Sequence, residues 1–340
     1  MPRNEVKPPY NILVFEYITG GGFAQQALPE SLAKEGAIVL NALVNELSLC
    51  ADIKLTVVVD WRIDSLKLPK NTTIVKVVRD QCIYQLLPGL MDKADFIWPV
   101  APEIEDALYK ITQLIERNNI RLLNSSSQAV FLCSDKLATA QWLNKYDITT
   151  VEGIQLDLFS NQFAAPWVIK PKDGAGCLNS YYIADSADLN QITKLIECPL
   201  DYLIQPYLKG ESLSLSCLFN EGKAWLLCCN QQLITIKQGK FELEACIVNI
   251  ASTNLSLYQI LINRIAKAIP GLTAYVGIDI IHPENSVPSV LEINPRLTTS
   301  YVGINKATGF NVANAVIEMS GIVPIIVKTS NKPFKVVINE

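Results

Sequence analysis

The segment Ala274 to Arg296, AYVGIDIIHPENSVPSVLEINPR, constrains this chain more than any other. Its two halves alternate apolar and polar residues around a Pro- and Asn-containing turn, which reads as a β-hairpin. Alternation sets Val276, Ile278 and Ile280 on one face with Leu291 and Ile293, and Asp279, Glu292 and Asn294 on the other. A turn centred on Asn285 and Ser286 makes Asp279 and Glu292 direct partners. Opposed carboxylates repel at about 5 Å, so a cation between them is the economical explanation. Two carboxylates and an amide oxygen are hard donors suited to Mg²⁺ that keeps other positions for water and phosphates. The competing reading is a surface hairpin with a solvated polar face, and a one-residue bulge would undo the facing.

At 340 residues the chain exceeds one ordinary core, so two or three lobes are expected. Hydrophobic residues make up 49% and charged residues 18%. No apolar run approaches the roughly 18 residues of a membrane span, and the opening MPRNEVKPPYNILVFEY lacks a signal-peptide core. The expectation is a soluble, cytoplasmic protein. Nine cysteines, an odd number without repeated Cys-x-x-Cys spacing, fit reduced core thiols. A net charge of -4 without a basic block argues against nucleic acid or an anionic membrane as partner. The single histidine, His282, excludes His-based triads and multi-His metal sites. Chemistry must then run on Lys, Arg, Asp, Glu and phosphates.

From residue 11 to about 124, strand and helix signals alternate: NILVFEY, a helix near Leu28 to Leu49, LTVVVD, TIVKVV, a helical stretch after Arg79, ADFIWPV, a helix near Ile104 to Asn118, and RLLNS. That order predicts a parallel α/β lobe with ligands at the carboxyl ends of its strands, where EYITGGG, Asp60-Trp61-Arg62 and PVAPE fall. Gly20, Gly21 and Gly22 permit close approach of an anion or simply form a turn, and lack the spaced dinucleotide fingerprint. A boundary is expected near Asn124 to Gln128, with Ser134 as N-cap of a helix through Leu143. Strands PWVIK, SYYIA, DYLIQPYL, LSLSCLF and KAWLLCC follow, then a less regular stretch, a helix Leu255 to Ala268, the hairpin, and a helix near Val312 to Met319.

WVIKPKDGAG delivers Lys170 to a strand end before a glycine-rich loop, whose N–H groups can cradle phosphate oxygens beside the lysine charge. A plain Asp-Gly hairpin turn is the alternative. Pro206 in Gln205-Pro206-Tyr207-Leu208 marks an edge strand or a lobe crossing, and exposed backbone beside Tyr207 and Leu208 could read an adenine edge.

In order and spacing, SDK before a helix, VIKP, DGAG, QPYLKGE, the GID strand and EINPR resemble the ATP-grasp superfamily of carboxylate-amine ligases over roughly residues 125 to 310. The resemblance implies an α/β protein of the ATP-grasp fold. Its parallel amino-terminal (pre-ATP-grasp) lobe spans 1–124, a central lobe with a glycine-rich lid 125–205, and a carboxy-terminal lobe with the metal site 206–340, the last two sandwiching the nucleotide. It implies that Lys136 and Lys170 contact ATP phosphates, that Gly174, Ala175 and Gly176 form the lid, and that Gln205, Tyr207 and Leu208 line the adenine hinge. Asp279, Glu292 and Asn294 would bind one or two Mg²⁺, or Mn²⁺ in its place, and Arg296, with Lys170, would act on the transferred phosphoryl group. One departure concerns the ribose acid, expected two residues after the linker glycine. Ser212 stands there, and Glu211, one position early, is the remaining candidate.

Including FEYITGGG, IWPVAPE and NPRLTTSY, the whole chain resembles the branch of that superfamily serving methanofuran and methylofuran biosynthesis. That resemblance implies ATP-dependent amide formation through an acyl phosphate. The γ-carboxylate of L-glutamate would be joined to tyramine, tyrosine or a glutamyl chain. Small molecules are then the partners, and a homodimer is common among similar enzymes. Arg296, Arg62 and Gly20 to Gly22 are candidates for an acidic substrate. Glu16 or Glu103 is the candidate amine receiver, and each could equally cap a turn or pair with a cation. An amino-acid or dipeptide ligase, a kinase of the same fold, and a non-catalytic ATP-binding module remain the alternatives.

Overall fold

Nearly continuous apolar strands pair in parallel at the start of the chain because both faces of their sheet are covered. The computed structural model describes residues 8–174, 176–319 and 323–337. The elements run β1 (Tyr10–Glu16), α1 (Glu30–Ser48), β2 (Ile53–Asp60), β3 (Thr73–Val77), α2 (Ile83–Met91), β4 (Phe96–Val100), α3 (Ala107–Arg117) and β5 (Arg121–Leu122). The sheet order is β3-β2-β1-β4-β5. Successive residues of β1 enter opposite cores. Ile12 and Val14 pack with Leu40, Leu43 and Leu47 of α1, while Leu13 and Phe15 pack with Leu87 of α2 and Ile111 and Ile115 of α3. The chain reverses direction across the sheet between β1 and β4, which leaves a crevice at their carboxyl ends.

The second part runs α4 (Ser127–Ser134), α5 (Lys136–Asn144), β6 (Ile154–Gln155), β7 (Trp167–Pro171), β8 (Tyr181–Ile183), α6 (Ser186–Thr193), β9 (Tyr202–Pro206), β10 (Glu211–Asn220), β11 (Lys223–Lys237), β12 (Lys240–Val248), α7 (Leu255–Ala268), β13 (Ala274–His282), β14 (Ser289–Asn294), α8 (Tyr301–Thr308), α9 (Val312–Glu318) and β15 (Phe334–Val337). Its strands form one antiparallel sheet of order β14-β13-β10-β11-β12-β8-β7-β9-β6, with β15 beside β12. Among the described residues β12 meets β8 through the single pair Lys240 and Tyr181. The sheet is therefore two pieces joined at one point. The small piece has its own core of Leu156, Trp167, Ile169, Ile183, Ile196 and Ile204. The large piece packs Leu213, Leu215, Ile278 and Ile293 against Ile262 and Ile265 of α7.

Several local expectations change. The stretch after KAWLLCC is not irregular: β11 continues to Lys237 and returns as β12 through Gln238 and Gly239, both at positive φ. Partial exposure of Leu233 to Lys237 gives that half a weak apolar signal. Ser134 ends α4, and Asp135 is the N-cap of α5, its carboxylate accepting from the N–H groups of Leu137 and Ala138. Ala129, Cys133, Leu143 and Ile148 pack into the core of the large piece, although residues 125–205 read as one central lobe. The helix α8, the strand β15 and the helix α4, the last capped by Ser126, were not anticipated. Residues 1–7 and Ala175 lie outside the described residues. No helix among the described residues is long and apolar enough to cross a membrane.

Candidate functional site

Strands β13 and β14 pair with Asp279 opposite Glu292 and Gly277 opposite Asn294. A bulge does occur, but it lies between Asp279 and Ile280, one step beyond the carboxylate pair, so the facing survives. Its consequence falls on Leu291. Val290 and Ile293 are core residues, whereas Leu291 lines the cleft beside Glu292, not the apolar face that alternation assigns it. Strand β10 contributes by the same period of two: Leu213, Leu215 and Cys217 enter the core, while Ser212 and Ser214 face the cleft.

The amide of Asn294 bridges the two carboxylates, its Nδ2 donating to Asp279 Oδ2 at 3.3 Å and to Glu292 Oε1 at 3.5 Å. Gln232 Nε2 donates to Asp279 Oδ1 at 3.1 Å, and Ser212 Oγ donates to Gln232 Oε1 at 3.0 Å. Lys136 Nζ sits 3.2 Å from Glu292 Oε2 and donates to Gly174 O at 3.2 Å. The backbone N–H of Lys136 donates to Lys172 O at 3.0 Å, which docks the start of α5 onto the end of β7. Among the described residues no three His, Cys, Asp or Glu side chains cluster for a metal, so a third protein donor here is the amide of Asn294.

Burial governs the electrostatics of this group. It pushes Asp279 up to about 8, aided by the charge of Glu292. It acts on Glu292 in the same direction but is outweighed by Lys136 and Lys170, which hold that carboxyl well below the usual range. Lys170 is lowered to about 8, first by burial and further by Lys136, against the pull of Glu292 and Asp279. Burial and the neighbouring charges thus push the two carboxyls in opposite directions and lower the lysine. Such divergence marks a site built to receive compensating charge.

These groups line a cleft of about 520 Å³ between the two pieces of the antiparallel sheet. Gly174, Gly176, Gln205, Tyr207, Leu208 and Glu211 line it as well. Gly174 and Gly176 have φ of +103° and +65°, and a Cβ added at either would meet nothing within 4 Å, as in an open loop. The ring of Tyr207 packs edge-on to Tyr182 at 5.1 Å and stacks with Phe241 at 6.4 Å. Its N–H donates to Pro166 O at 2.8 Å, so that donor is already used. Ser212, at the position expected for the ribose acid, is committed to Gln232.

Arg296 closes the far end of the cleft. Glu103, buried at 4% exposure, accepts from its Nε at 2.9 and 3.0 Å and from its Nη2 at 2.7 Å, and Leu297 O accepts from Nη1. Burial would lower the guanidinium, but Glu103 overrides it and raises the pKa. Glu103 is thus paired with a cation and does not present a carboxylate to an amine. Glu16 is likewise occupied, accepting from the N–H groups of Ile18 and Thr19 and the hydroxyl of Thr19, with burial raising its pKa. Arg62 is spent on Asp60 and on the carbonyls of Gln26 and Phe23. Gly20, Gly21 and Gly22 lie against Phe15, Val77 and Tyr17 respectively, so their missing side chains make room for packing and they line neither cleft nor crevice. Cleft residues that were not anticipated include Glu35 and Gln232, which no local pattern marks, and Ser214, which the alternation LSLS could have placed on the cleft face with Ser212.

Two domain families match the chain: an ATP-grasp domain over residues 133–300 and a pre ATP-grasp 3 domain over 53–130. A tyramine–L-glutamate ligase from Methanocaldococcus fervens is 28% identical over 327 residues, covering 96% of this chain and 99% of that protein. The enzyme of the same name from Methanocaldococcus jannaschii is 29% identical, covering 86% of this chain and 84% of its own length. Among solved structures, an ATP-grasp superfamily protein from Archaeoglobus fulgidus superposes with a TM-score of 0.72 at 21% identity, covering 96% of this chain and 92% of its own. The ADP complex of N5-carboxyaminoimidazole synthetase from Staphylococcus aureus gives 0.72 at 17% identity, covering 98% and 83%. With two domain matches that together span most of its length, this chain belongs to the ATP-grasp family, as a carbon–nitrogen ligase.

Proposed function

We propose that the protein forms an amide at the expense of ATP by way of an acyl phosphate, joining the γ-carboxylate of L-glutamate to tyramine, tyrosine or a glutamyl chain. A carboxylate oxygen attacks the γ-phosphorus and ADP leaves. The acceptor ammonium first gives up one proton, and the free amine then attacks the acyl carbon, loses a second proton, and expels inorganic phosphate. Phosphoryl transfer of this kind asks for positioning and charge neutralisation, not for a protein nucleophile. In this reading Gln205, Tyr207 and Leu208 hold the adenine and Glu211 the ribose. Lys136 and Lys170 hold phosphate oxygens under the loop of Gly174 and Gly176, which Ala175 joins, and Arg296, fixed by Glu103, steadies the transferred group.

Asp279, Glu292 and Asn294 would hold Mg²⁺, and the donor set fits: two carboxylates are in register, one lysine contacts only one of them, and a half-turn of the Asn294 amide offers a third oxygen. A bound Mg²⁺ supplies neutralisation of phosphate charge. The observation that carries the reading is the convergence of Lys136, Lys170, Asp279, Glu292 and Arg296 on one cleft. The choice of substrates rests on the two tyramine–L-glutamate ligases that the chain resembles. The test is ADP release with Mg-ATP and L-glutamate, adding tyramine, tyrosine and other amines singly and weighing the products. Amine-dependent ADP release with a γ-glutamyl amide is expected. ADP with a stable phosphorylated product would make the protein a kinase, and ATP binding without turnover on any panel would make it a binding module.

A further inference from the structure

We propose that Glu35 receives the ammonium group of the acceptor amine, and that the site is built for a primary ammonium on an apolar carbon skeleton. The inference rests on the ligase reading for its reaction and on independent geometry for its site. Every described residue lining the large cleft lies at position 136 or beyond, with one exception, Glu35 on α1. Glu35 enters beside Thr299, whose hydroxyl donates to it, on the wall it shares with Arg296, where the acyl group would be activated.

Glu35, Arg296 and Thr299 also line a second, smaller cavity of about 40 Å³ at the carboxyl ends of β1 and β4. These three side chains therefore form the wall between cleft and crevice. Oε1 of Glu35 accepts from the hydroxyl of Thr299, and Oε2 has no hydrogen-bond or cation partner among the described residues. The nearby cations are committed elsewhere, Arg296 to Glu103 and Lys136 to Glu292. A half-buried carboxylate with an open oxygen and no salt bridge of its own favours a cationic guest and repels a carboxylate, although it lies in the field of Arg296, whose charge Glu103 already offsets. The rest of the crevice is mostly apolar, with Ile18, Leu32, Val39, Val100, Pro102 and Leu297. It is smaller than an aromatic ring, so the carbon skeleton would lie along its rim inside the larger cleft. Arg296 has its guanidinium bound to Glu103 and Leu297 O, and in the ligase reading its remaining reach is taken by the transferred phosphoryl group, which leaves an α-carboxylate beside the ammonium without a cationic partner. A decarboxylated amine fits this corner better than the parent amino acid.

The test is calorimetric titration of wild type, Glu35→Gln and Thr299→Val with tyramine, tyrosine and L-glutamate in the presence of Mg-ADP. Loss of a charged hydrogen bond predicts that tyramine binding weakens roughly ten- to hundred-fold in Glu35→Gln, with L-glutamate and nucleotide affinities unchanged. Tyramine should bind wild type more tightly than tyrosine. Thr299→Val keeps the charge and should alter tyramine binding by less than about threefold. Failure of tyramine to bind wild type, equal affinity in wild type and Glu35→Gln, or an equal loss in Thr299→Val overturns the assignment. A loss confined to L-glutamate overturns it in favour of the donor's ammonium. Tyramine binding that depends on Glu35 but gives no amide would leave this site standing and remove the ligase reading alone.

Discussion

Asp279 and Glu292 share a strand pair but not a role, because only Glu292 has lysines beside it. Without a counter-ion, Asp279 costs folding free energy and Glu292 provides it by neutralising Lys136 and Lys170. Asp279→Asn should therefore raise the melting temperature of the apo protein slightly, a gain of about 1 kcal/mol at most, and Glu292→Gln should lower it by leaving two buried ammonium groups unpaired. Both variants should abolish ATP turnover, and near-wild-type activity in both would remove the metal assignment. Glu46 makes a second residue-scale case. It is 6% exposed, accepts from Tyr301 Oη at 2.9 Å and Ala313 N at 3.0 Å, and burial pushes it up to about 7 from 4.5. A carboxyl raised in the folded state contributes stability that is full below about pH 4.5 and is lost as pH rises through about 7. Glu46→Gln should flatten that loss by roughly 3 kcal/mol between pH 5 and 8 in denaturant titrations. An unchanged pH profile would show that Glu46 keeps an ordinary pKa. The carboxylate pair was legible in the sequence because alternation alone opposes the two residues. Glu35 and Glu46 were not, since nothing on an amphipathic helix says which acid meets a partner from a distant lobe.

The ends of elements place the reactive groups. Asp135 caps α5 and so holds Lys136 at the first turn, pointing at Glu292 and the lid carbonyl. Asp135→Ala should cost about 1 kcal/mol of stability and weaken ATP binding several-fold. Loss of stability with unaltered nucleotide affinity would show that the cap does not orient the lysine. The turn after β1 makes the opposite prediction. Gly21 has φ of +94° and a Cβ would meet Val77 at 2.7 Å, so Gly21→Ala should destabilise by about 1–3 kcal/mol while leaving the KM for L-glutamate unchanged. A raised KM would restore the anion-binding reading of Gly20 to Gly22. Expected and observed bounds agree where periodicity is strong, as for α7, and diverge where it is diluted. Half-exposed Leu233 to Lys237 hid the second half of β11, and adjacent Ser134 and Asp135 are both good caps, which only the hydrogen bonds distinguish.

Glu103 at the end of the parallel sheet and Arg296 after β14 are 193 residues apart and meet in a buried pair, so the amino-terminal lobe holds the residue that closes the cleft. Glu103→Ala should leave a buried guanidinium unpaired, cost about 3–5 kcal/mol, and lower kcat more than the KM for ATP. Full activity with wild-type stability would mean that the lobes do not depend on this contact. At this scale the alternation of strands and helices in the first lobe, its α/β character and the hairpin with its carboxylates followed from the amino-acid sequence alone, because apolar period and strand alternation are local properties that survive in any context. The pairing of Glu103 with Arg296, the hold of the Gln26 and Phe23 carbonyls on Arg62, and the arrival of Glu35 at the cleft were decided by tertiary structure. Each depends on which distant element lies within about 3 Å of a charged group, and competition for hydrogen-bond partners across lobes leaves no periodic trace in the chain.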